Sequence, residues 1–335
     1  MHYRNLGKSN LKVSTLCLGT MMFGDQTDRV EAGRIVAHAH AHGVNFIDTA
    51  DVYSVGMSEE IVGELIKPQR ADWVLATKLG NNMSQRVNQG HYSRSWMLQE
   101  VEASLRRLQT DHIDICYLHR DYDAMELEEP LHALADMIRA GKLRYWGLSN
   151  FRGWRIAELV HAAARIGMPG PVVCQPYYNL LNRMPEVEIL PACQYYGIGV
   201  ASYSPIARGV LTGKYLPGAA PAPGTRAGRA DKRMMDTEFR PQSLEMAQTL
   251  AAHAQKQGIT LAQFATAWVL ANGILSSVIA GPRTLAQWQD YFPALEYRFT
   301  AEDEALVNSM VGSGHSSTPG YTDPAYPLNG RITKQ

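Results

Sequence analysis

Apolar positions along this chain fall in short, near-continuous runs rather than in a strict apolar-polar alternation. The runs are "LCLG" from Leu16, "FIDT" from Phe46, "WVLATK" from Trp73, "IDICYLH" from Ile113, "YWGLSN" from Tyr145, "VVCQ" from Val172, "GVASYS" from Gly199 and "SVIAG" from Ser277. Six of the seven start-to-start intervals lie between 27 and 40 residues, and only the last, 78, is long. Stretches of helical period separate the runs, among them "SWMLQEVEASLRRL" and "LEEPLHALADMIRAG". The second closes on Gly141, a natural helix C-terminal residue. Strands apolar on both faces, alternating with amphipathic helices, predict βαβ units and a parallel sheet covered by helices. Eight such units predict a single closed (β/α)₈ barrel, one domain over residues 1–335.

The competing architecture is an open, doubly wound sheet, which often carries GxGxxG after its first strand. That pattern is missing, and "GIGVAS" at Gly197 precedes its strand, so it reads as a turn. Polar residues close the runs all along the series: Asp48, Lys78, His119, Ser149, Asn150, Gln175 and Tyr203. Only a closed barrel gathers ends from the second to the seventh strand at one mouth. Two segments stand outside the eightfold pattern. "HYRNLGKSNLKVS" reads as a β-hairpin capping the barrel bottom. The long interval before the last strand opens with "LPGAAPAPGTRAGRADKRMMDTEFR" and continues into extra helices, and a loop of that length is usually functional or mobile. Its bases Arg226, Arg229, Lys232 and Arg233 are candidates to clamp an anion. Asp231 and Asp236 equally suit a solvated excursion with its own counter-charges. The C-terminal tail, about 312–335, is expected to extend over the surface.

Composition narrows the function classes. The 335 residues are 45% hydrophobic, enough for a sizeable core, and 32 basic residues balance 32 acidic ones. Nothing in that balance points to nucleic acid or to an anionic membrane surface. No apolar run approaches the ~20 residues needed to cross a bilayer. The four cysteines, Cys17, Cys116, Cys174 and Cys193, include no CxxC pair and read as buried thiols of a cytoplasmic protein.

Candidate chemistry centres on "FIDTADVYSVGMSEE", where Asp48 ends an apolar run and Tyr53 follows on a loop. Taken singly, a strand-end lysine is usually a solvated rim charge and a strand-end histidine an ordinary hydrogen-bonding group. Asp48, Tyr53, Lys78 and His119, on the second, third and fourth strands of one barrel, suggest more. A phenol, with an unperturbed pKa of ~10, is a reluctant proton donor. A neighbouring ammonium is expected to lower that value, and a carboxylate keeps the ammonium charged and oriented. A histidine nearby can hydrogen-bond a substrate oxygen. Such a set donates a proton to an oxygen becoming an alkoxide, as carbonyl reduction requires, and leaves the hydride to a cofactor.

In "NLGKSNLKVSTLCLGTMMFG", "GVNFIDTADVYSVGMSEEIVGE", "IDICYLHR", "GKLRYWGLSNF", "QPYYNLL" and "SYSPIARGVLTGKY" the chain resembles the aldo-keto reductases, over nearly its whole length. It looks closest to bacterial members related to potassium-channel β-subunits. The resemblance implies that Asp48, Tyr53, Lys78 and His119 are the catalytic tetrad, with Tyr53 as general acid. It implies that Ser149, Asn150 and Gln175 hold the nicotinamide carboxamide of a bound NADP(H), that Tyr203 stacks on its ring, and that Ser204, Pro205, Ile206, Gly209 and Lys214 meet its pyrophosphate. Thr20, Met21 and Arg226 are further expected cofactor contacts. At the adenosine end, Gly281, Arg283, Gln287, Asp290 and Tyr291 match the family pattern, except that Ala280 replaces the usual proline and Tyr291 a common asparagine. Arg283 is the expected partner of the 2′-phosphate, because a guanidinium can fork onto phosphate oxygens.

Met22, Phe23 and Arg120 are expected on the substrate side, and the substrate itself is a small-molecule carbonyl compound. His38 and His42 stand four apart on the first helix, but no third ligand is evident, so no metal is expected. Two alternatives remain open: a cofactor-binding, redox-sensing regulatory subunit with a protein partner or a homo-oligomeric assembly, and a Schiff-base aldolase with Lys78 as nucleophile. The aldolase wants a neutral lysine, which Asp48 disfavours.

Overall fold

The computed structural model describes residues 1–327. A two-stranded antiparallel hairpin, β1 (Tyr3–Asn5) and β2 (Lys12–Ser14), precedes eight parallel strands. These are β3 (Leu16–Gly19), β4 (Phe46–Asp48), β5 (Val74–Leu79), β6 (Ile113–Leu118), β7 (Leu143–Ser149), β8 (Val173–Gln175), β9 (Gly199–Tyr203) and β10 (Leu275–Ala280). They pair in chain order, and β10 closes onto β3, so the barrel is complete. Each apolar run of the sequence is one barrel strand.

Side chains alternate between two cores, as the pleat of a strand requires. Inward-facing Cys17, Phe46, Val74, Ala76, Ile115, Tyr117, Val173, Ala201 and Ile279 fill the barrel. Outward-facing neighbours such as Leu16, Ile47, Leu75 and Cys116 pack beneath the helices. Leu6 and Val13 of the hairpin join the inner cluster and stopper the barrel bottom. Gly7 lets them approach: its φ is +60°, and a Cβ there would stand 2.4 Å from the Gly199 nitrogen.

The covering helices are α1 (Arg29–Ala41), α2 (Met57–Ile66), α3 (Arg94–Leu108), α4 (Glu128–Arg139), α5 (Gly153–Arg165) and α6 (Ile189–Tyr196). Asp28 and Ser93 cap α1 and α3 with their side chains, and Gly141 follows α4 at φ 72°. Between β9 and β10 the long interval holds a short helix within its Pro- and Gly-rich opening, α7 (Lys232–Thr237), and then the extra helices expected there, α8 (Pro241–Lys256) and α9 (Leu261–Ala271). After β10 come α10 (Leu285–Gln289) and α11 (Ala301–Met310). Among the described residues no helix is long and apolar enough to cross a membrane.

The tail beyond α11 runs over the strand ends and is tied down repeatedly. Arg183 donates from its backbone to the His315 carbonyl (2.8 Å), Ser317 to that of Leu181 (2.9 Å), and Arg233 pairs with Asp323 through both guanidinium arms. The last eight positions of the expected tail, 328–335, lie outside the described residues. All four cysteines are buried free thiols, and Trp73 and Trp146 are core residues.

Candidate active site

The tetrad residues come from adjacent strand ends. On β4, Phe46 and Asp48 face inward; on β5, Val74, Ala76 and Lys78 do the same, which brings Lys78 beside Asp48 above the apolar filling. Lys78 Nζ donates to Asp48 Oδ1 (2.5 Å), to the Thr49 carbonyl (2.7 Å) and to the Tyr53 hydroxyl (3.2 Å). All three ammonium protons are therefore spoken for. The second oxygen of Asp48 accepts from Gln175 Nε2 at 2.8 Å, across the barrel from β8. The His119 ring stands edge-on to Tyr53, with 6.0 Å between ring centroids. A short non-regular turn carries Tyr53, and Ser54 and Val55 after it both take left-handed backbone angles (φ 48° and 54°).

Burial dominates the electrostatics. Lys78 is wholly buried, and desolvation opposes its charge, yet Asp48 and Tyr53 outweigh that and push its pKa up, so it stays an ammonium. Burial lifts the Asp48 carboxyl above the ordinary carboxylate value, against the pull of Lys78 and Gln175. Burial also wins at Tyr53: the phenol rises above 10.0 although Lys78 pulls it down. The expected lowering of the phenol's pKa by the neighbouring ammonium is thus corrected in sign, because the same enclosure that brings the ammonium close removes water from the phenolate. His119 is pushed well below its ordinary 6.5 by burial, with Lys78 and Arg120 adding to the effect, so its ring is neutral, and its Nδ1 has no hydrogen-bond partner among the described residues.

From this centre a continuous cavity runs toward β10. The expected contacts Thr20, Met21, Met22, Ser149, Asn150, Gln175, Tyr203, Ser204, Pro205, Ile206, Gly209, Lys214, Arg226, Gly281, Arg283, Gln287, Asp290 and Tyr291 all line it, together with Asp48, Tyr53 and His119. Tyr203 donates its hydroxyl to Asn150 Oδ1 (2.8 Å), and Asn150 donates to the His119 carbonyl (3.1 Å), so the ring and the amide are fixed as one unit. The chain after β9 is left-handed at Ser204, Ala207, Arg208 and Gly209. A Cβ at Gly209 would lie 3.4 Å from Lys214 Nζ, so a cation rests against bare backbone there. With Arg226, Arg229, Arg233 and Arg283 on the same walls, that end fits phosphate groups. A partly buried aromatic ring, Tyr203, between amides at one end and bases at the other fits a nicotinamide dinucleotide.

Two expected substrate residues do not reach the cavity. Phe23 is wholly buried in the core between barrel and helices, because the turn after β3 folds it inward and its carbonyl accepts from Ser54. The Arg120 guanidinium is held between the Tyr122 and Tyr326 rings (5.6 and 5.1 Å) and donates to the Ala325 carbonyl. Sequence reasoning missed Arg208, Thr212 and Tyr326, which do line the cavity. Arg208 was legible as the base inside "SPIARGVLTGKY"; nothing in the tail's pattern marks Tyr326.

A closed parallel barrel with this cleft at its mouth is the frame of a class of oxidoreductase, and the chain belongs to the aldo/keto reductase family, whose profile matches residues 15–311. This family acts on carbonyl compounds. The chain is 39% identical over 301 residues to a probable voltage-gated potassium channel subunit beta of Arabidopsis thaliana, covering 88% of this chain and 92% of that protein. It is 36% identical to a protein of the same description from Oryza sativa subsp. japonica, covering 96% of this chain and the whole of that one. It is also 36% identical to the uncharacterized oxidoreductase YrpG of Bacillus subtilis, over 95% of this chain and 98% of that protein.

Proposed function

We propose that this protein reduces an aldehyde or ketone to the alcohol with NADPH, Tyr53 giving the proton, and that residues 1–335 act as one catalytic unit. The observation that carries the reading is the Tyr53–Lys78–Asp48 chain of hydrogen bonds, ending at a phenol in the cavity wall. A reduced nicotinamide dinucleotide, when bound, supplies the hydride. Tyr203 would stack on its ring, Ser149, Asn150 and Gln175 would hold its carboxamide, Lys214 and Arg226 its pyrophosphate, and Arg283 with Gln287 the 2′-phosphate end. Neutral His119 is suited to donate a hydrogen bond to the substrate oxygen and so orient the carbonyl. Tyr53, protonated across the neutral range, gives its proton to that oxygen as negative charge grows there. Lys78 stabilises the phenolate left behind, and Asp48 keeps Lys78 charged. The same pairing argues against an aldolase, which needs a neutral lysine. Four unpaired buried thiols fit a cytoplasmic setting.

A second reading has its own support. Two relatives carry the description of a potassium channel β-subunit, so a redox-sensing subunit that binds the dinucleotide and turns over slowly for a protein partner also fits. One experiment separates them: quenching of tryptophan fluorescence by NADPH and NADH, followed by NADPH oxidation with a reactive aromatic aldehyde, in wild type and Tyr53→Phe. The reductase reading expects unchanged NADPH binding and a rate lower by at least about a hundredfold in Tyr53→Phe. Tight binding with negligible turnover in the wild type moves the assignment to the regulatory reading. Binding of neither nucleotide sinks both.

A further inference from the structure

The interval between β9 and β10 and the tail beyond α11 are far apart in sequence, yet the structure ties one to the other. Arg233 of α7 and Asp323 of the tail, 90 residues apart, meet through both guanidinium arms, Nη1 to Oδ1 at 2.6 Å and Nη2 to Oδ2. That forked, charge-assisted geometry is the strong form of an ion pair. The carboxylate is fixed from its own side, since Asp323 Oδ1 also accepts from the Ala325 backbone at 2.9 Å. A second tie lies at the start of α8. Arg240 donates from Nε to Thr318 Oγ1 (2.8 Å) and from Nη2 to Ser317 Oγ (3.0 Å), and its guanidinium lies 3.8 Å from the centre of the Tyr321 ring. Further along, at the mouth, Tyr326 lies between the Arg233 and Arg120 guanidinium groups (5.9 and 5.1 Å).

What is tied down is one wall of the cleft. Arg226, Arg229 and Arg233, all from that interval, line the cavity at its basic end. The chain leading to them has little to hold it. Residues 216–220 are all exposed, and Gly218 and Gly224 take left-handed backbone angles (φ 73° and 76°), with nothing within 4 Å of a Cβ added at either. Among the described residues no helix or strand lies between Thr212 and Lys232. A segment with so few packing contacts opens at low free-energy cost unless its far end is anchored. The Arg233–Asp323 pair is that anchor. Its side chains are 29% and 15% exposed, so it is less screened than a surface pair without being sealed off from water. The family profile matches residues 15–311, and Asp323 lies beyond that stretch.

We propose that residues 317–326 form a strap across the cleft, buckled by the Arg233–Asp323 pair, and that a bound dinucleotide leaves only when this buckle opens. The inference rests on the dinucleotide site of the reductase reading. Among the described residues that line the cavity, Asp323 is not one. Its loss therefore acts on dinucleotide release through the wall it holds and not through a lost contact with the ligand. The strap sets how long the dinucleotide stays, not which carbonyl compound is reduced.

The test compares wild type, Asp323→Asn, Asp323→Glu, Arg233→Gln and the double variant Asp323→Asn with Arg233→Gln. Asp236→Asn is the control, because Asp236 pairs with Lys232 inside α7 and its loss breaks an ion pair without loosening the strap. NADPH release is followed by stopped-flow fluorescence as the loaded protein is mixed with excess NADP⁺, and folding is checked by thermal melting. Loss of a partly buried, charge-assisted pair predicts release faster by about fivefold or more in Asp323→Asn. Asp323→Glu should regain part of the slow release. The double variant should be no faster than the faster of its two singles, since both remove one and the same pair. Trypsin gives a readout that needs no dinucleotide: cleavage after Arg226 and Arg229 should speed up in Asp323→Asn and stay at the wild-type rate in Asp236→Asn. The inference is overturned if Asp323→Asn releases NADPH at the wild-type rate, or if Asp236→Asn speeds release or cleavage as much as Asp323→Asn does. Failure of the wild type to bind NADPH removes the reductase reading and this inference together; normal NADPH binding with wild-type release in Asp323→Asn removes this inference alone.

Discussion

Each tetrad side chain owes its properties to enclosure as much as to its neighbours. Lys78 keeps its charge in a dry site because three acceptors surround it, whereas His119 is held neutral by burial, with the charges of Lys78 and Arg120 acting in the same direction. That difference has a measurable consequence. A histidine depressed in the folded state binds its proton less readily there than in the unfolded chain, so stability is full above the unfolded pKa of 6.5 and falls as pH drops below it. The steepest contribution of one such group is about 1.4 kcal/mol per pH unit. His119→Gln, neutral at every pH, should therefore flatten the loss of stability in urea melts between pH 6.5 and 5. An equally steep loss in the variant would show that His119 titrates normally. The same enclosure explains what residue-level reading could not see: the sequence places a base beside Tyr53, but only the structure shows how dry the phenol is.

At the scale of elements, the strands were the legible part, since a parallel barrel needs runs apolar on both faces and their polar ends mark the mouth. The loops were legible only where their chemistry was specific. "MMFG" looks like any loop after a strand, yet its turn sends Met22 to the cavity and Phe23 to the core. The turn after β4 contains a cost that composition hides. Val55 is β-branched and left-handed (φ 54°) while 79% exposed, so packing does not stabilise that geometry. The conformation holds the Tyr53 turn and costs about 1–2 kcal/mol relative to ordinary backbone. Asparagine tolerates it better, so Val55→Asn should raise the melting temperature and, under the proposed function, retain the wild-type turnover. A lower melting temperature would mean that the Val55 side chain contributes more than its exposure suggests.

The whole molecule is a barrel closed at one end and worked at the other, and the two ends differ in how plainly they were written. The hairpin was visible in "LGKSN" and its flanking alternation. That the tail would lie on the surface was expected, but its course was not legible, because its anchors Arg120, Arg183, Arg233 and Arg240 come from the loops after β6, β8 and β9 and follow no periodic pattern of the tail's own. A consequence of this division is that stability and chemistry should be separable by mutation at the bottom. Gly7 sits where the hairpin meets the start of β9: Lys8 donates to the Gly197 carbonyl at 2.8 Å, and an added Cβ at Gly7 would be 2.4 Å from the Gly199 nitrogen and 2.5 Å from the Gly197 oxygen. Backbone offers no rotamer to yield, and the φ of +60° adds strain of its own. Gly7→Ala should therefore lift Leu6 from the inner cluster and cost at least about 2 kcal/mol of stability in a urea melt. Gly170, with nothing within 4 Å of an added Cβ, serves as the control, and its alanine variant should melt with the wild type. Below its melting transition Gly7→Ala should keep whatever NADPH affinity and turnover the wild type shows under the proposed function, since Asp48, Tyr53, Lys78 and His119 stand at the opposite ends of the strands. A variant that melts normally would show that the hairpin is not a structural stopper, and one that melts early with its affinity also lost would show that the bottom of the barrel is coupled to the mouth.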